Sequence, residues 1–386
     1  MKPSAAVFTS YFLLCICLSI AAPSHGSDRQ FTRPGPYNFD TLYSQIDGYL
    51  ERFHDPAFPF DPYDLKGRFS YQEGGDYDLY GSCDMVYLLW TIGELEERTT
   101  EAGRRQWAGI IRDYQDAETG WWTHGNETLH FKEHATAYAT GALVLLGKRP
   151  LHSFHWKKEM TGSKEALDKW LSGIWWDVVW VGSHQGGGVA ASLDMTGEAS
   201  DRWFNWYLDW LDNEVNPDTG LWQRAFYNRF YKKPMKNDLG GAAHFWWIYQ
   251  ERGRPLPYPE KVIDTVLGLQ RDNGLWEQYK TKDTYPTCIN CDAINGINAA
   301  HAQLLDKGTE YRTGDILRSY DRFMVECGRI LNGPDSLERH YKNSHDLPGA
   351  FIGIAEADRF MKSYFGESSL DTRRKWRSVL EKICWL

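Results

Sequence analysis

The stretch KNDLGGAAHFWWIY at 236–249 begins with polar residues around Asp238 and then runs to Tyr249 through small, aliphatic and aromatic side chains without a charge. An Asp at a helix start accepts hydrogen bonds from the free N–H groups of the first turn, and the helix dipole favours its negative charge. A helix that is apolar on every face is one that is covered on every side. The stretch therefore predicts a buried helix with Asp238 as its N-cap.

The same pattern occurs five more times along the chain. Its copies are YGSCDMVYLLW at 80–90, KEHATAYATGALVLL at 132–146, GSHQGGGVAASLDM at 182–195, INCDAINGINAAHAQL at 289–304 and SHDLPGAFIGIAEADRF at 344–360. The aligned positions are Asp84, His134, His184, Asp238, Asp292 and Asp346, each 50 to 54 residues after the one before. A period of this length indicates a repeat architecture, and the aligned Asp residues are expected to cap their helices.

An amphipathic stretch accompanies each copy, at about 38–53, 100–115, 164–176, 200–214, 258–271 and 311–331. At 258–271, for example, Val262, Ile263, Val266 and Leu269 form one stripe of a helix whose other face is polar. Six inner and six outer helices predict an all-α fold, an (α/α)6 toroid of six helical hairpins. We expect one domain over 27–386, a C-terminal closing helix near 369–384, and inner-helix starts that meet on one face.

Three of the outer stretches end in related turns, QDAETGWW at 115–122, NPDTGLW at 216–222 and QRDNGLW at 270–276. Their Gly supplies a left-handed residue that ends a helix, and the Trp after it is expected to pack back over the helix end. The first and third turns resemble the QW repeats of the terpenoid cyclase and prenyltransferase superfamily. That resemblance implies an α6/α6 toroid with a ligand site in its central cavity. In architecture, aromatic content and export, the chain also resembles secreted glycoside hydrolases and polysaccharide lyases with six helical hairpins.

The amino-terminal sequence predicts export. Lys2 precedes an apolar run from Ala5 to Ala22, and Ser24 and Gly26 offer a small-residue cleavage site, which is typical of a signal peptide at 1–26. The mature protein is then secreted or periplasmic, and Asn126 is a glycosylation acceptor if the host is eukaryotic. No later segment reaches 18 uninterrupted apolar residues, so no membrane insertion is expected. The net charge of −9 argues against nucleic acid as a partner.

Acidic residues at the repeat positions predict a glycoside hydrolase that acts on a polysaccharide or oligosaccharide. Hydrolysis of a glycosidic bond needs two carboxyl groups, one protonated to donate to the leaving oxygen and one ionised to attack or to activate water. Several carboxylates around one mouth would raise the pKa of one of them by repulsion and so supply the acid. The leading pair is Asp238 and Asp292, with Asp346 as a substitute and Asp84 as the fourth acid.

The chain holds 18 tryptophans, an excess that is typical of grooves where flat sugar rings stack. The predicted substrate-binding residues are Trp122, Trp222, Trp246, Trp276 and Tyr138. Core filling is the competing interpretation for each Trp. A non-catalytic carbohydrate-binding toroid would keep the tryptophans and would not need the converging acids.

A polysaccharide lyase is the main alternative. It needs a base beside a uronate carboxyl group, for which His134 with Tyr138, or His184, is suited, and a group that neutralises that carboxylate. The candidates for the neutralising group are Asn290 and Asn295. His244 and His301 lie deeper in the inner helices and are predicted to belong to the core.

A further alternative is a zinc-dependent or terpenoid-cyclase-like toroid. Cys288, Cys291 and Asp292 lie close together in sequence, and His345 occupies the same loop of the following repeat. Cys, Asp and His suit tetrahedral zinc with an open position, and the prenyltransferases that the turns resemble bind zinc through these residue types. An oxidised Cys288–Cys291 pair is the competing interpretation. No other cofactor is expected.

Overall fold

The computed structural model describes residues 32–123, 130–222, 234, 236–276, 284–371 and 374–386. Arg33–Leu386 form one compact unit, and of the other unit, Met1–Thr32, only Thr32 is described. The predicted signal peptide and the predicted glycosylation acceptor at Asn126 lie outside the described residues. Within these ranges the chain is all-helical, with isolated β-bridges and no strand, as predicted. None of the described helices has both the length and the apolar character that crossing a bilayer requires.

The α-helices of the described ranges follow one another with short connections. In chain order they are α1 (Asp40–Phe53), α2 (Leu79–Thr91), α3 (Glu101–Asp113), α4 (Lys132–Leu145), α5 (Lys158–Thr161), α6 (Lys164–Gly173), α7 (Val179–Thr196), α8 (Asp201–Glu214), α9 (Lys236–Glu251), α10 (Pro259–Leu269), α11 (Cys288–Asp306), α12 (Thr313–Leu331), α13 (Ser336–His340) and α14 (Asp346–Phe365). Single 3-10 turns occur at His155–Lys157 and Val379–Glu381.

The six helices that carry the repeat sequences are neighbours in a circuit. We call α2, α4, α7, α9, α11 and α14 the inner helices. Helix α2 contacts α4, α4 contacts α7, α7 contacts α9, α9 contacts α11, α11 contacts α14, and α14 contacts α2. The last inner helix thus meets the first, so residues from all six repeats can face one another.

Glycine allows two of these contacts to be very close. A Cβ added to Gly188 in α7 would lie 2.6 Å from the backbone oxygen of Glu133 in α4. A Cβ added to Gly349 in α14 would lie 2.5 Å from the Cα atom of Cys288 in α11. Side chains essentially never come that near a backbone, so the small residues of the inner helices set the spacing of the circuit.

The amphipathic stretches form α1, α3, α6, α8, α10 and α12, which match the predicted outer helices to within a few residues at each end. Side-chain caps define several of their starts. The hydroxyl of Thr100 accepts from Gly103 N at 2.9 Å before α3, and that of Ser200 accepts from Trp203 N at 3.3 Å before α8. These caps satisfy N–H groups that the first turn leaves free.

The three Gly-x-Trp turns have the predicted conformation. Their glycines, Gly120, Gly220 and Gly274, have φ of 84°, 72° and 88°. The ring N–H of Trp122 donates to the carbonyl oxygen of Ile111 near the end of α3, at 2.8 Å. Equivalent bonds join Trp222 to Leu211 and Trp276 to Val266. Each tryptophan therefore fastens the turn to the helix before it.

All four predicted Asp caps are wrong. Asp238 is the third residue of α9, and Asp346 is the first residue of α14, whose N-cap position is held by His345. The N-cap of α2 is Asp78, whose carboxylate accepts from Gly81 N at 2.8 Å, and Asp84 lies inside the helix. Thr287 stands at the N-cap position of α11, so Asp292 also lies within its helix. Helices α2 and α11 begin several residues before Asp84 and Asp292, because the residues ahead of these acids already have helical geometry and mostly buried side chains.

The predicted C-terminal closing helix is also wrong. Within 366–371 and 374–386 the only helical piece is the 3-10 turn Val379–Glu381. The chain after it is irregular, with a turn at Lys382 and a bend at Cys384, and it brings Trp385 against His244, with ring centroids 4.6 Å apart. At the seam, α1 contacts α13, and Leu42 N donates to Asn332 Oδ1 at 3.2 Å. The burial of Trp385 therefore determines the path of this segment, although the local sequence has a helical pattern.

Candidate active site

A cavity lies between the inner helices, and every one of them contributes to its wall. Its volume, counted as the space open to the centre of a water-sized sphere, is about 40 Å³. One lining residue from each inner helix in chain order is Tyr87, His134, Trp180, His244, Asp292 and Gly349. His130 and His345, each close to the start of an inner helix, also line it. Histidine and aromatic rings thus dominate the site.

Three buried histidines from three consecutive inner helices meet at this cavity. They are His134 of α4, His184 of α7 and His244 of α9. One ring nitrogen from each lies within 4.8 Å of those from the other two, the only such group of potential metal ligands among the described residues. His134 and His244 line the cavity, and the ring of His184 lies 4.5 Å and 5.1 Å from theirs between centroids. We call these three residues the histidine cluster.

Hydrogen bonds fix two rings of the cluster through Nδ1. His134 Nδ1 pairs with the hydroxyl of Tyr80 at 2.7 Å, and His244 Nδ1 pairs with Ser183 Oγ at 2.7 Å. Ser183 donates its own hydrogen to the carbonyl oxygen of Trp180. Its oxygen must therefore accept from the N–H at Nδ1 of His244, which leaves the lone pair of that ring on Nε2.

His184 differs from its neighbours because neither of its ring nitrogens has a hydrogen-bond partner among the described residues. The side chain is almost fully buried. A neutral imidazole carries one donor and one acceptor, and leaving such a group unpaired in the interior costs about 1–3 kcal/mol. A ligand bound to one of the ring nitrogens of His184 would remove this cost.

The cluster is held in the neutral form. Burial lowers the pKa of His184 to about 3, with a smaller contribution from His345. Burial and neighbouring imidazoles lower the pKa of His134 well below its usual value, and burial with His184 does the same for His244. Neutral imidazoles have a free lone pair, and they do not act as acids at neutral pH.

A buried carboxylate organises the opposite side of the site. Asp84 Oδ1 accepts from the hydroxyl of Tyr138 at 2.6 Å and from His345 Nδ1 at 2.9 Å. Its Oδ2 accepts from the hydroxyl of Ser344. Asp84 itself is fully buried. It therefore ties α2 to α4 and to the start of α14 and fixes the orientation of His345.

Asp84 gives His345 a different protonation behaviour from the cluster. Burial lowers the pKa of His345, but the charge and hydrogen bond of Asp84 more than offset that effect, and the pKa is raised. Since Nδ1 is held by Asp84, the other ring nitrogen, Nε2, is the one that can meet a ligand in the cavity. A histidine oriented by a buried carboxylate is suited to taking up and returning a proton.

Comparison of the chain with known protein families, with curated proteins and with solved structures finds no match.

The structure separates the predicted acidic residues. Asp292 lines the cavity, whereas Asp238 is buried and is not among the described residues that line it. Asp346 accepts from Asn343 Nδ2 at 3.1 Å and from the hydroxyl of Tyr285 at 3.2 Å. Asp84 is used in hydrogen bonds within the fold. The described lining therefore contains one of the four acids.

The four predicted substrate-binding tryptophans belong to the core, which corrects that expectation. Trp122, Trp222 and Trp246 have no exposed surface, and Trp276 is 2% exposed. The ring of Trp246 lies over Gly296, where an added Cβ would be only 2.2 Å from it. Of the predicted binding residues, Tyr138 does line the cavity. Two tryptophans that do line it are Trp180 and Trp247.

The other predicted residues have mixed outcomes. Asn290 Oδ1 accepts from Trp276 N at 3.0 Å, and Asn295 pairs with Gln250, so both are used within the fold. His301 is buried and pairs with Thr313, which confirms its core position. His244 was predicted to belong to the core, and although its ring is buried it lines the cavity.

The predicted zinc set and the observed cluster are different groups. Cys288, Cys291, Asp292 and His345 all line the cavity. Their ligand atoms do not gather within 4.8 Å, however, since the group that does so among the described residues is the histidine cluster. Both cysteines are free thiols, and burial raises the pKa of Cys291 well above its usual value.

Sequence reasoning did not select His130, His244 or Tyr80 for the site. His130 precedes His134 by four residues, and its ring stacks on those of His134 and Tyr80 with centroids 4.5 Å and 4.8 Å away. A His-x-x-x-His spacing at a repeat start is a signal that could have drawn attention to His130. No local signal marks His244, because its approach to the cavity depends on how α9 crosses its neighbours.

Proposed function

We propose that the chain is a secreted or periplasmic enzyme that cleaves glycosidic bonds of a uronic-acid polysaccharide by β-elimination. The observation that carries the proposal is the Asp84–His345 pair at the cavity, in which a buried carboxylate holds one ring nitrogen at 2.9 Å. The proposal draws further support from the circuit of inner helices, which we interpret as the inner ring of an (α/α)6 toroid with α1, α3, α6, α8, α10 and α12 outside it.

Elimination needs a group that neutralises the uronate carboxylate and a group that takes up a proton and returns it, and the cavity offers the second of these in His345. Nε2 of His345 takes the proton from the carbon beside the uronate carboxyl group, and that electron pair forms a carbon–carbon double bond as the glycosidic C–O bond breaks. The imidazolium then returns the proton to the leaving oxygen. Asp84 stabilises the imidazolium, and Tyr138 and Ser344 hold Asp84 in place. No water is consumed.

Hydrolysis by paired carboxylates has less support from the geometry. It requires two carboxyl groups on either side of one bond. Among the described residues that line the cavity, Asp292 is a carboxylate, and neither Asp238 nor Asp346 is its partner there. Asp84 already accepts three hydrogen bonds from the protein.

The proposal is tested with a panel of neutral and uronic-acid polysaccharides, recording new reducing ends and the ultraviolet absorbance of unsaturated uronates in the same samples. We expect both signals to rise together on a uronic-acid polymer. Reducing ends without absorbance would establish hydrolysis instead. No signal on any polymer would contradict glycan cleavage altogether.

The role of His345 is tested by His345→Gln, which keeps a side chain of similar length and removes the titrating ring. We expect the rate of elimination to fall about 100- to 10,000-fold, the range that general acid–base groups supply. The matched control is His301→Gln, which replaces a buried histidine outside the cavity. Equal losses in both variants would assign the effect to folding rather than to catalysis.

A further inference from the structure

We propose that the histidine cluster, His134, His184 and His244, binds one divalent metal ion of the zinc type. This inference concerns metal binding and does not depend on the proposed glycan cleavage. Its starting point is that the three residues lie on three different helices, α4, α7 and α9, about 50 residues apart in the chain, and still bring their ring nitrogens within 4.8 Å.

The spacing of the cluster is close to what an ion requires. A tetrahedral zinc ion with Zn–N bonds of about 2.0–2.1 Å places its nitrogen ligands about 3.4 Å apart. The three nitrogens lie within 4.8 Å of one another, so modest rotations of the rings would bring them into coordination. No large movement of the helices is needed.

The unpaired ring of His184 is an independent observation that points to a ligand. Both of its nitrogens are buried and lack a hydrogen-bond partner among the described residues. Buried polar groups are normally paired, and an exception needs an explanation. A metal bond to one nitrogen supplies the missing partner, and it does so at the point where the other two rings converge.

The hydrogen bonds of the other two rings are those of metal ligands. Metal-binding histidines generally use the second ring nitrogen to donate to an oxygen, which fixes the tautomer and the direction of the lone pair. His244 has this arrangement, with Nδ1 bonded to Ser183 and the lone pair on Nε2. His134 Nδ1 is hydrogen-bonded to the hydroxyl of Tyr80, and in the tautomer whose Nδ1 donates to that hydroxyl Nε2 carries the lone pair for the ion.

The composition of the cluster selects the class of ion. Imidazole ligands suit zinc and its neighbours copper, nickel and cobalt, whereas calcium and magnesium prefer oxygen. Three protein ligands are typical of zinc sites that keep a fourth position free. His134 and His244 line the cavity, so a free position here would face it and would bind an anionic oxygen of a molecule inside.

The proposal is tested by titrating zinc into the full chain after treatment with a chelator. Metal content after dialysis and binding heat give the stoichiometry and affinity, and thermal unfolding gives a second readout. We expect one zinc per chain and a higher Tm with zinc. Absence of stoichiometric zinc would overturn the proposal.

Variants distinguish the histidine cluster from the other metal-binding residue types in the cavity. His184→Gln is expected to weaken zinc binding at least about 100-fold, in line with the sensitivity of metal sites to changes in their ligands. Cys291→Ser is the matched control, since Cys291 is buried at the same cavity and is not part of the cluster. Loss of zinc in Cys291→Ser with retention in His184→Gln would contradict the assignment.

A spectroscopic measurement on the unmodified chain decides the ligands even if His184→Gln fails to fold. Cobalt bound in place of zinc gives a strong sulfur-to-metal absorption in the near ultraviolet when a thiolate is a ligand. We expect tetrahedral cobalt bands in the visible range without that absorption. A thiolate band would overturn the histidine assignment.

Discussion

At the scale of single residues, Asp84 makes more contacts between elements than its position in a repeat suggested. Its carboxylate is fully buried and accepts from Tyr138, Ser344 and His345, which belong to distant parts of the chain. The expected role of a helix cap belongs to Asp78 instead. A buried acid that accepts hydrogen bonds from several elements contributes both to folding and to the orientation of its partners.

Replacing this carboxylate by an amide is expected to destabilise the fold. In Asp84→Asn one oxygen becomes an NH₂ group that cannot accept, so a buried donor loses its partner and the charge beside His345 disappears. We expect the free energy of unfolding to fall by about 2–3 kcal/mol in urea denaturation. Asp346→Asn is the control, because Asp346 lies nearer the surface with two longer hydrogen bonds, and its effect should stay below about 1 kcal/mol. A reversed order of the two effects would refute the role given to Asp84.

At the scale of helices, the sequence predicted the elements well because the relevant pattern is local. Small and apolar residues mark the inner helices, and an apolar stripe marks the outer ones, so twelve helices could be located from composition and spacing alone. The short helices α5 and α13 were not predicted, since four or five residues carry no periodic pattern. The starts of α2 and α11 were also misplaced, because several residues before Asp84 and before Asp292 already belong to the helix.

The close contact between α4 and α7 predicts how substitution of Gly188 changes stability. Gly188→Ala is expected to lower the free energy of unfolding by about 1–3 kcal/mol, since the new Cβ would press on the backbone of α4 at Glu133. Gly48→Ala is the matched control within an outer helix, because nothing lies within 4 Å of a Cβ there. That change should raise the free energy of unfolding by about 0.5–1 kcal/mol through the better helix propensity of alanine. If both variants were stabilised, α4 and α7 would not approach as closely as described.

At the scale of the whole molecule, the candidate site was predicted only in part. The repeat positions supplied His134 and Asp292, which do line the cavity, and the expectation that several repeats contribute to one site holds for its lining residues. His244 could not be found in this way, because the crossing of inner helices decides which turn faces inward. The tryptophans were wrongly assigned to substrate binding for a similar reason. An excess of aromatic residues does not distinguish rings that line a groove from rings that hold turns against helices.

Dependence on contacts between distant residues also explains why the conformation of the C-terminal segment was not predicted. Residues near 369–384 have spacing compatible with a helix, yet the chain reaches inward and places Trp385 between inner helices. Its ring lies 5.4 Å from that of His134 and 5.8 Å from that of Trp247 between centroids. A contact between residues so distant in sequence leaves no local signal. The indole of Trp385 packs against two rings of the histidine cluster, those of His134 and His244.

Trp385 is therefore expected to hold the circuit of inner helices together. In Trp385→Ala a fully buried indole is lost, and we expect the free energy of unfolding to fall by about 3–5 kcal/mol. Trp175→Ala is the control, because that ring is 52% exposed and its removal should change stability by no more than about 0.5 kcal/mol. Urea denaturation followed by far-ultraviolet circular dichroism measures both. A loss below 1 kcal/mol in Trp385→Ala would mean that the inner helices close without the C-terminal segment, and α1 at the seam would then be the element that joins the two ends.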